Sequence, residues 1–219
     1  MEKLQLYGTP LSHFTRKIRI LLAELGVAFD FVRTPGVLGT APAAYGNNPL
    51  LRVPTLVDGG VTILESDHIA RYLVGKCDPA DRLGVRSERA EDLNRLAVVS
   101  GIMNDEVVLI LAKRGGLADV DGVAYFTKLR TAIDGGLAWL DREGPPAQEG
   151  GHGDADFTYG DIATVCMWQH LRHYALVPDL DRHERLAARV ARFAGRPSVA
   201  GTTPDVSLAE ATAAGWKAG

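Results

Sequence analysis

The stretch Leu4-Gln5-Leu6-Tyr7-Gly8-Thr9-Pro10-Leu11-Ser12-His13-Phe14-Thr15-Arg16-Lys17-Ile18-Arg19-Ile20-Leu21-Leu22-Ala23-Glu24-Leu25-Gly26 changes its hydrophobic period partway along. Leu4 to Tyr7 alternates at period two, as a half-buried strand does, and stops at the turn signal Gly8-Thr9-Pro10. From Phe14 the apolar residues Phe14, Ile18, Leu21, Leu22 and Leu25 recur at helical spacing, and Gly26 supplies a C-terminal stop. Phe29-Asp30-Phe31-Val32 then alternates again. The chain therefore opens as strand, helix, strand, with Ser12 at or just before the helix start.

Thr34 to Asn48 carries Pro35, Gly36, Gly39, Pro42 and Gly46 and reads as loop with at most a short helix. Pro54-Thr55-Leu56-Val57 and Val61-Thr62-Ile63-Leu64 flank Asp58-Gly59-Gly60, a hairpin turn in which glycine provides positive φ. A helix over Ser66–Val74 follows. The order β-α-β-(α)-β-β-α implies an α/β unit built on a mixed four-stranded sheet.

After Asp78 no convincing strand occurs. Ser87–Lys113, Val120–Glu143, Thr158–Tyr174, Asp181–Ala194 and Ser207–Gly215 read as helices, and the third is apolar on most sides, as a helix at the centre of its own core would be. Gly144 to Asp156 is a long glycine- and proline-rich loop whose His152 reads as exposed. The predicted division is an α/β domain over 1–76, a linker over 77–86 and an all-helical domain over 87–219.

Composition narrows the function classes. The net charge of -3 argues against an electrostatic nucleic-acid or membrane role. No run reaches the ~18 consecutive apolar residues of a spanning helix, and the start shows no charged leader before an apolar run, so a cytoplasmic protein is expected. The two cysteines, Cys77 and Cys166, form no C-x-x-C pair, which leaves dithiol redox chemistry and a thiolate zinc site without ligands.

Three fragments carry chemistry. At Ser12 a helix start presents unpaired N–H groups and a positive dipole end, which favour an anion such as a thiolate; the same residue type is also a common helix cap. In Arg52-Val53-Pro54-Thr55-Leu56 a proline stands at the mouth of a strand, as a plain strand start or a cis bond. A cis bond would turn the Val53 backbone outward to pair with a peptide-like ligand. In Leu64-Glu65-Ser66-Asp67-His68-Ile69 a helix start again offers a hydroxyl and N–H groups to a carboxylate, or simply a cap.

In this order and spacing the fragments resemble the thioredoxin-like N-terminal domain of cytosolic-type glutathione transferases, of the bacterial, serine-type kind with a theta- or tau-like active site. The residues concerned are Ser12 with Arg16-Lys17-Ile18-Arg19, Arg52-Val53-Pro54-Thr55-Leu56, and Glu65-Ser66 with Ile69, Tyr72 and Leu73. Asp156-Phe157-Thr158-Tyr159-Gly160-Asp161-Ile162-Ala163 is similar to the family's capping box and hydrophobic staple, and Arg196-Pro197-Ser198-Val199 to a late family motif. The resemblance implies glutathione as co-substrate and no metal. It implies that Ser12 donates a hydrogen bond to the glutathione sulfur. Val53, followed by a cis Pro54, pairs by backbone with the cysteinyl unit. Glu65 and Ser66 hold the γ-glutamyl end, and Arg52 approaches the glycyl carboxylate. Leu11, Leu38, Met103, Val107, Leu111 and Trp168 are expected by position to line a second-substrate pocket.

The resemblance further implies an electrophilic, largely apolar second substrate, a role in detoxification and a homodimer. Dehalogenation, isomerisation or peroxide reduction by the same thiolate, and a non-catalytic protein-binding module, are the rival readings. Two departures stand out. His13 occupies a position where many relatives have proline and reads as a solvated first-turn residue, with a role as a base the alternative. Ser12 and Thr15 stand where redox-active relatives carry cysteines, which speaks against glutaredoxin-type chemistry. The energetics are sufficient without a base or metal. A free thiol titrates near ~8.5, and lowering it by about two units takes about 2.7 kcal/mol. One hydroxyl bond to a charged acceptor contributes about 1.5–3 kcal/mol and a helix N-terminus about 0.3–1 kcal/mol.

Overall fold

The computed structural model describes residues 3–117, 122–143 and 157–216. Two compact units emerge: residues up to Arg86 together with those from Arg196 onward, and Ser87–Gly195. The segment from Arg196, read from sequence as part of the helical domain, clusters with the α/β unit.

In the α/β unit, β1 (Leu4–Gly8), α1 (His13–Glu24), β2 (Phe29–Arg33), β3 (Thr55–Asp58), β4 (Val61–Leu64) and α2 (Ser66–Cys77) form a four-stranded sheet with two helices. The strand order is β2-β1-β3-β4, with β1 parallel to β2 and antiparallel to β3, which is antiparallel to β4. The mixed sheet follows from the connections. A helical crossover returns β2 parallel to β1, whereas the tight Gly59-Gly60 turn, both residues at positive φ, forces β4 antiparallel to β3. Strand β3 starts at Thr55, because Pro54 has no N–H for the ladder. Leu6, Ile18, Leu21, Leu22, Leu56, Ile69 and Leu73 are completely buried and make the core.

The loop after β2 has a single turn of 3-10 helix, Pro42–Tyr45. The C-terminal part of this unit holds α7 (Pro197–Ala200) and α8 (Pro204–Ala213). Helix α8 begins three residues before the periodicity indicated, because Thr203 caps it by accepting from the Val206 N–H and Pro204 occupies its first turn.

The helical unit comprises α3 (Ala90–Arg114), α4 (Ala124–Glu143), α5 (Tyr159–His173) and α6 (Glu184–Ala194), with a 3-10 turn at Leu180–Arg182. Helix α5 packs on α3 and α6 and is buried along most of its length, from Tyr159 to Leu171. Its start is the predicted capping box. Thr158 accepts from the Asp161 N–H at 3.2 Å, and Asp161 accepts from the Thr158 N–H at 3.0 Å. The other oxygen of buried Asp161 meets Arg189 at 2.6 Å, tying α6 to the same corner. The stretch 144–156, including His152, lies outside the described residues. Among the described residues no helix is long and apolar enough to cross a membrane.

Candidate functional site

Strand register brings the three fragments together. Tyr7 faces Thr55, and Thr55 faces Leu64. The turn after Gly8, the Val53-Pro54 pair before Thr55 and the Glu65-Ser66 pair after Leu64 therefore all emerge at one end of the sheet. Because β2 runs parallel to β1 with Gly8 facing Arg33, Thr34 emerges there too. Ser12, Val53, Pro54, Glu65 and Ser66 thus share one rim.

Ser12 is the N-cap of α1, with φ -67 and ψ 115, and its hydroxyl oxygen accepts from the Thr15 N–H at 3.1 Å. Among the described residues that hydroxyl accepts one bond and donates none. The two sequence readings of Ser12, cap and anion donor, are therefore compatible: the oxygen accepts for the helix, and no described residue takes a bond from the hydroxyl. The turn approaches tightly. A β-carbon on Gly8 would lie 2.2 Å from the Thr15 methyl carbon, so only glycine permits this entry into α1.

The Val53–Pro54 bond is cis, and Pro54 is buried while Arg52 is exposed. Asn48, itself buried, donates through its amide nitrogen to the Arg52 carbonyl at 2.9 Å and fixes the approach to the strand. At the third fragment Glu65 has φ 71, a conformation that non-glycine residues adopt at a cost of about 1–3 kcal/mol. Its carboxylate compensates by capping α2. It accepts from the Asp67 N–H at 3.0 Å and from the hydroxyl of fully buried Ser66 at 3.0 Å. Backbone strain at the rim, held by local bonds, is the kind of feature that concentrates at functional positions.

Two side chains lock α1 to α2. Lys17, with no exposed side-chain surface, reaches Asp67 at 2.7 Å, and its ammonium lies 5.6 Å from the centre of the Phe14 ring. An ion pair this buried is held by its geometry, and it joins the helix starting at Ser12 to the one starting at Ser66. His13 is also buried, its ring centre 4.5 Å from that of Phe14 in a tilted pair, which corrects its reading as a solvated first-turn residue.

The six residues expected against a second substrate differ in exposure. Met103 and Trp168 are buried, Leu38 is exposed, and Leu11, Val107 and Leu111 are half-buried. Within the helical unit Trp168 walls a groove of about 460 Å³ between α5 and α6, beside Gln169, Arg172 and Asp181. On α3, Glu106 is completely buried 3.0 Å from His170 of α5, and burial holds its carboxyl well above the ordinary range. Burial likewise raises the Tyr174 hydroxyl, against the opposing pull of Arg114, which donates to it at 3.0 Å.

Residues 6–79 match the family model described as the glutathione S-transferase N-terminal domain. Over 78 residues the chain is 36% identical to glutathione S-transferase 3 of Zea mays, a match covering 35% of each protein. It is 33% identical over 87 residues to glutathione S-transferase 4 of Zea mays, covering 39% of each. The match thus spans little more than a third of these relatives. Whole-chain likeness comes from structure. A glutathione S-transferase of Methylobacterium radiotolerans, in complex with glutathione sulfonate, superposes with TM-score 0.73 at 27% identity, over 93% of this chain and 95% of that one. One from Methylobacillus flagellatus with glutathione bound gives 0.76 at 23% identity, over 92% and 100%, a likeness of fold.

Proposed function

We propose that this chain, whose residues 6–79 match the glutathione S-transferase N-terminal domain, is a glutathione transferase of the serine type, with Ser12 ionising the glutathione thiol for attack on an electrophilic, largely apolar small molecule. The observation that supports this reading is the Ser12 hydroxyl, which accepts from Thr15 and donates no bond among the described residues. A hydroxyl in that state, at a helix N-terminus, stabilises a thiolate over a thiol.

The remaining roles follow from the chemistry of a tripeptide zwitterion. The γ-glutamyl end bears an ammonium and a carboxylate, which suit the exposed Glu65 carboxylate and the Ser66 end of α2 respectively. The Val53 backbone, set by the cis bond to Pro54, pairs with the cysteinyl unit as an added strand would. Arg52, exposed beside it, takes the glycyl carboxylate. On this reading residues 1–76 bind glutathione and the helical residues from 87 onward face the electrophile. Side-by-side binding supplies proximity, and Ser12 supplies the nucleophile. A cytoplasmic homodimer acting in detoxification completes the proposal.

The test is retention on immobilised glutathione together with conjugation of a panel of aryl and alkyl halides. Conjugation that falls in Ser12→Ala supports the assignment. No binding at millimolar glutathione would replace it with a protein-binding scaffold. Halide release or peroxide reduction without conjugate would move it to the corresponding sister activity.

A further inference from the structure

The C-terminal segment reaches the rim that carries Ser12. Its near end is fastened to α1. Buried Arg16 donates to the Val199 carbonyl at 3.1 Å and to the Thr202 hydroxyl at 3.2 Å, and Arg19 donates to Ser207 at 2.8 Å. Glu24 holds Arg196 at 2.7 Å and also accepts from Ser198. The far end is fastened elsewhere. Just beyond α8, the Trp216 N–H closes on the Ala211 carbonyl at 2.8 Å, and its indole nitrogen donates to the Thr34 carbonyl at 2.8 Å, across 182 residues of sequence.

Thr34 is where several parts of the rim meet. It is completely buried, and each of its polar groups is bonded in a different direction. Its N–H donates to the Gly8 carbonyl at 2.9 Å, at the start of the turn that ends in Ser12. Its hydroxyl donates to Ala44 at 3.0 Å, in the loop that Tyr45 closes by donating to the Gly36 and Gly39 carbonyls at 3.1 and 2.9 Å. The indole bond takes the remaining carbonyl. Its N–H and its carbonyl belong to successive peptide units, so bonds at both, with the hydroxyl bond, restrict the φ and ψ of Thr34 between them, and losing the bond from Trp216 loosens the residue whose N–H Gly8 receives.

We propose that Trp216 is a positioning residue for the thiol site: through Thr34 and Gly8 the indole sets the turn that presents the Ser12 hydroxyl. This inference rests on the reading of Ser12 as the group that ionises glutathione. Trp216 acts only through the Thr34 peptide, so it affects where the Ser12 hydroxyl sits and leaves its chemistry unchanged.

The experiment compares the full chain with Trp216→Phe, which keeps a large ring and the backbone bond to Ala211 and removes only the indole N–H donor. Glutathione affinity is measured by calorimetry, the pH dependence of bound thiolate by its ultraviolet absorbance, and amide hydrogen exchange across the chain. Loss of one buried hydrogen bond predicts affinity weakened about threefold to tenfold. Exchange should quicken at Gly8–Thr15 and Thr34–Tyr45, while β4, α2 and the helical unit keep wild-type protection. Wild-type affinity and thiolate profile in Trp216→Phe overturn the proposal. So does exchange that quickens uniformly through the α/β unit, which marks a merely structural tryptophan. Wild-type chain that binds no glutathione sinks the functional reading instead; exchange confined to the two named segments then still establishes the strap, and its absence refutes it.

Discussion

Replacing Ser12 by alanine removes two bonds of different kinds, and they separate by assay. The first is the cap: the hydroxyl oxygen accepts from the Thr15 N–H at 3.1 Å at the start of α1. Losing it costs about 1 kcal/mol, which for a chain of this size lowers the unfolding midpoint by about 2–4 °C. The second is the bond donated to the thiolate, worth about 1.5–3 kcal/mol for a charged acceptor. Because 1.36 kcal/mol corresponds to about one pKa unit, the bound thiol should rise by about one to two units. At slightly acid pH kcat/KM should then fall about tenfold to a hundredfold. Above the raised pKa the thiol ionises unaided and the two proteins converge. Ser12→Asp divides the effects. Aspartate caps well and suits the positive helix end, so stability returns, but a carboxylate donates no hydrogen bond and repels the thiolate. Thermal unfolding, the ultraviolet titration of bound thiolate and a kcat/KM–pH profile for all three proteins make the test. An alanine variant whose thiolate titrates as in the wild type would refute the reasoning, however much stability it loses.

Other perturbations follow from the same geometry. Gly8→Ala drives a β-carbon to within 2.2 Å of Thr15 and 3.0 Å of Phe31, so denaturant unfolding should register a loss of about 1–3 kcal/mol from overpacking together with weaker glutathione binding. Asp161→Ala removes the capping-box acceptor and strands Arg189; it should cost about 3 kcal/mol or more against about 1 kcal/mol for Thr158→Ala, and equal losses would show that the ion pair is inert. Glu106 supplies a pH test. Its folded pKa is raised by burial above the ordinary 4.5, so the stability of its protonated form is complete below that value and drains away as pH rises through the folded pKa. Relative to Glu106→Gln, the wild-type midpoint should therefore fall as pH climbs from 4.5, and a constant gap would refute it.

Local pattern determined a good deal here. The change from period two to helical spacing at Gly8–Phe14, the Asp58-Gly59-Gly60 turn and the Thr158–Asp161 box are short-range signals, because strand pleat, turn φ and capping bonds involve residues within about four positions of each other. They placed all four strands and most of the helices, and with them the rim residues Ser12, Val53-Pro54 and Glu65-Ser66. Helix ends were less legible. α6 starts at Glu184, behind a separate 3-10 turn, where periodicity indicated Asp181.

Tertiary structure alone decided the rest. That the residues from Arg196 onward join the α/β unit follows from Arg16, Arg19, Glu24 and Thr34 finding partners more than 170 positions away. Nothing in the spacing of either segment encodes such a pairing. His13 reads as solvated, yet folding buries it beside Phe14, and it buries Lys17 as well, because Asp67 arrives from α2 to meet the ammonium. Ser12 shows the division within one residue. Sequence identified a hydroxyl at a helix start; the fold determined that its oxygen accepts from Thr15 and that no described residue takes a bond from it. Residue types specify which bonds a side chain is able to make, and long-range packing selects which of them it does make.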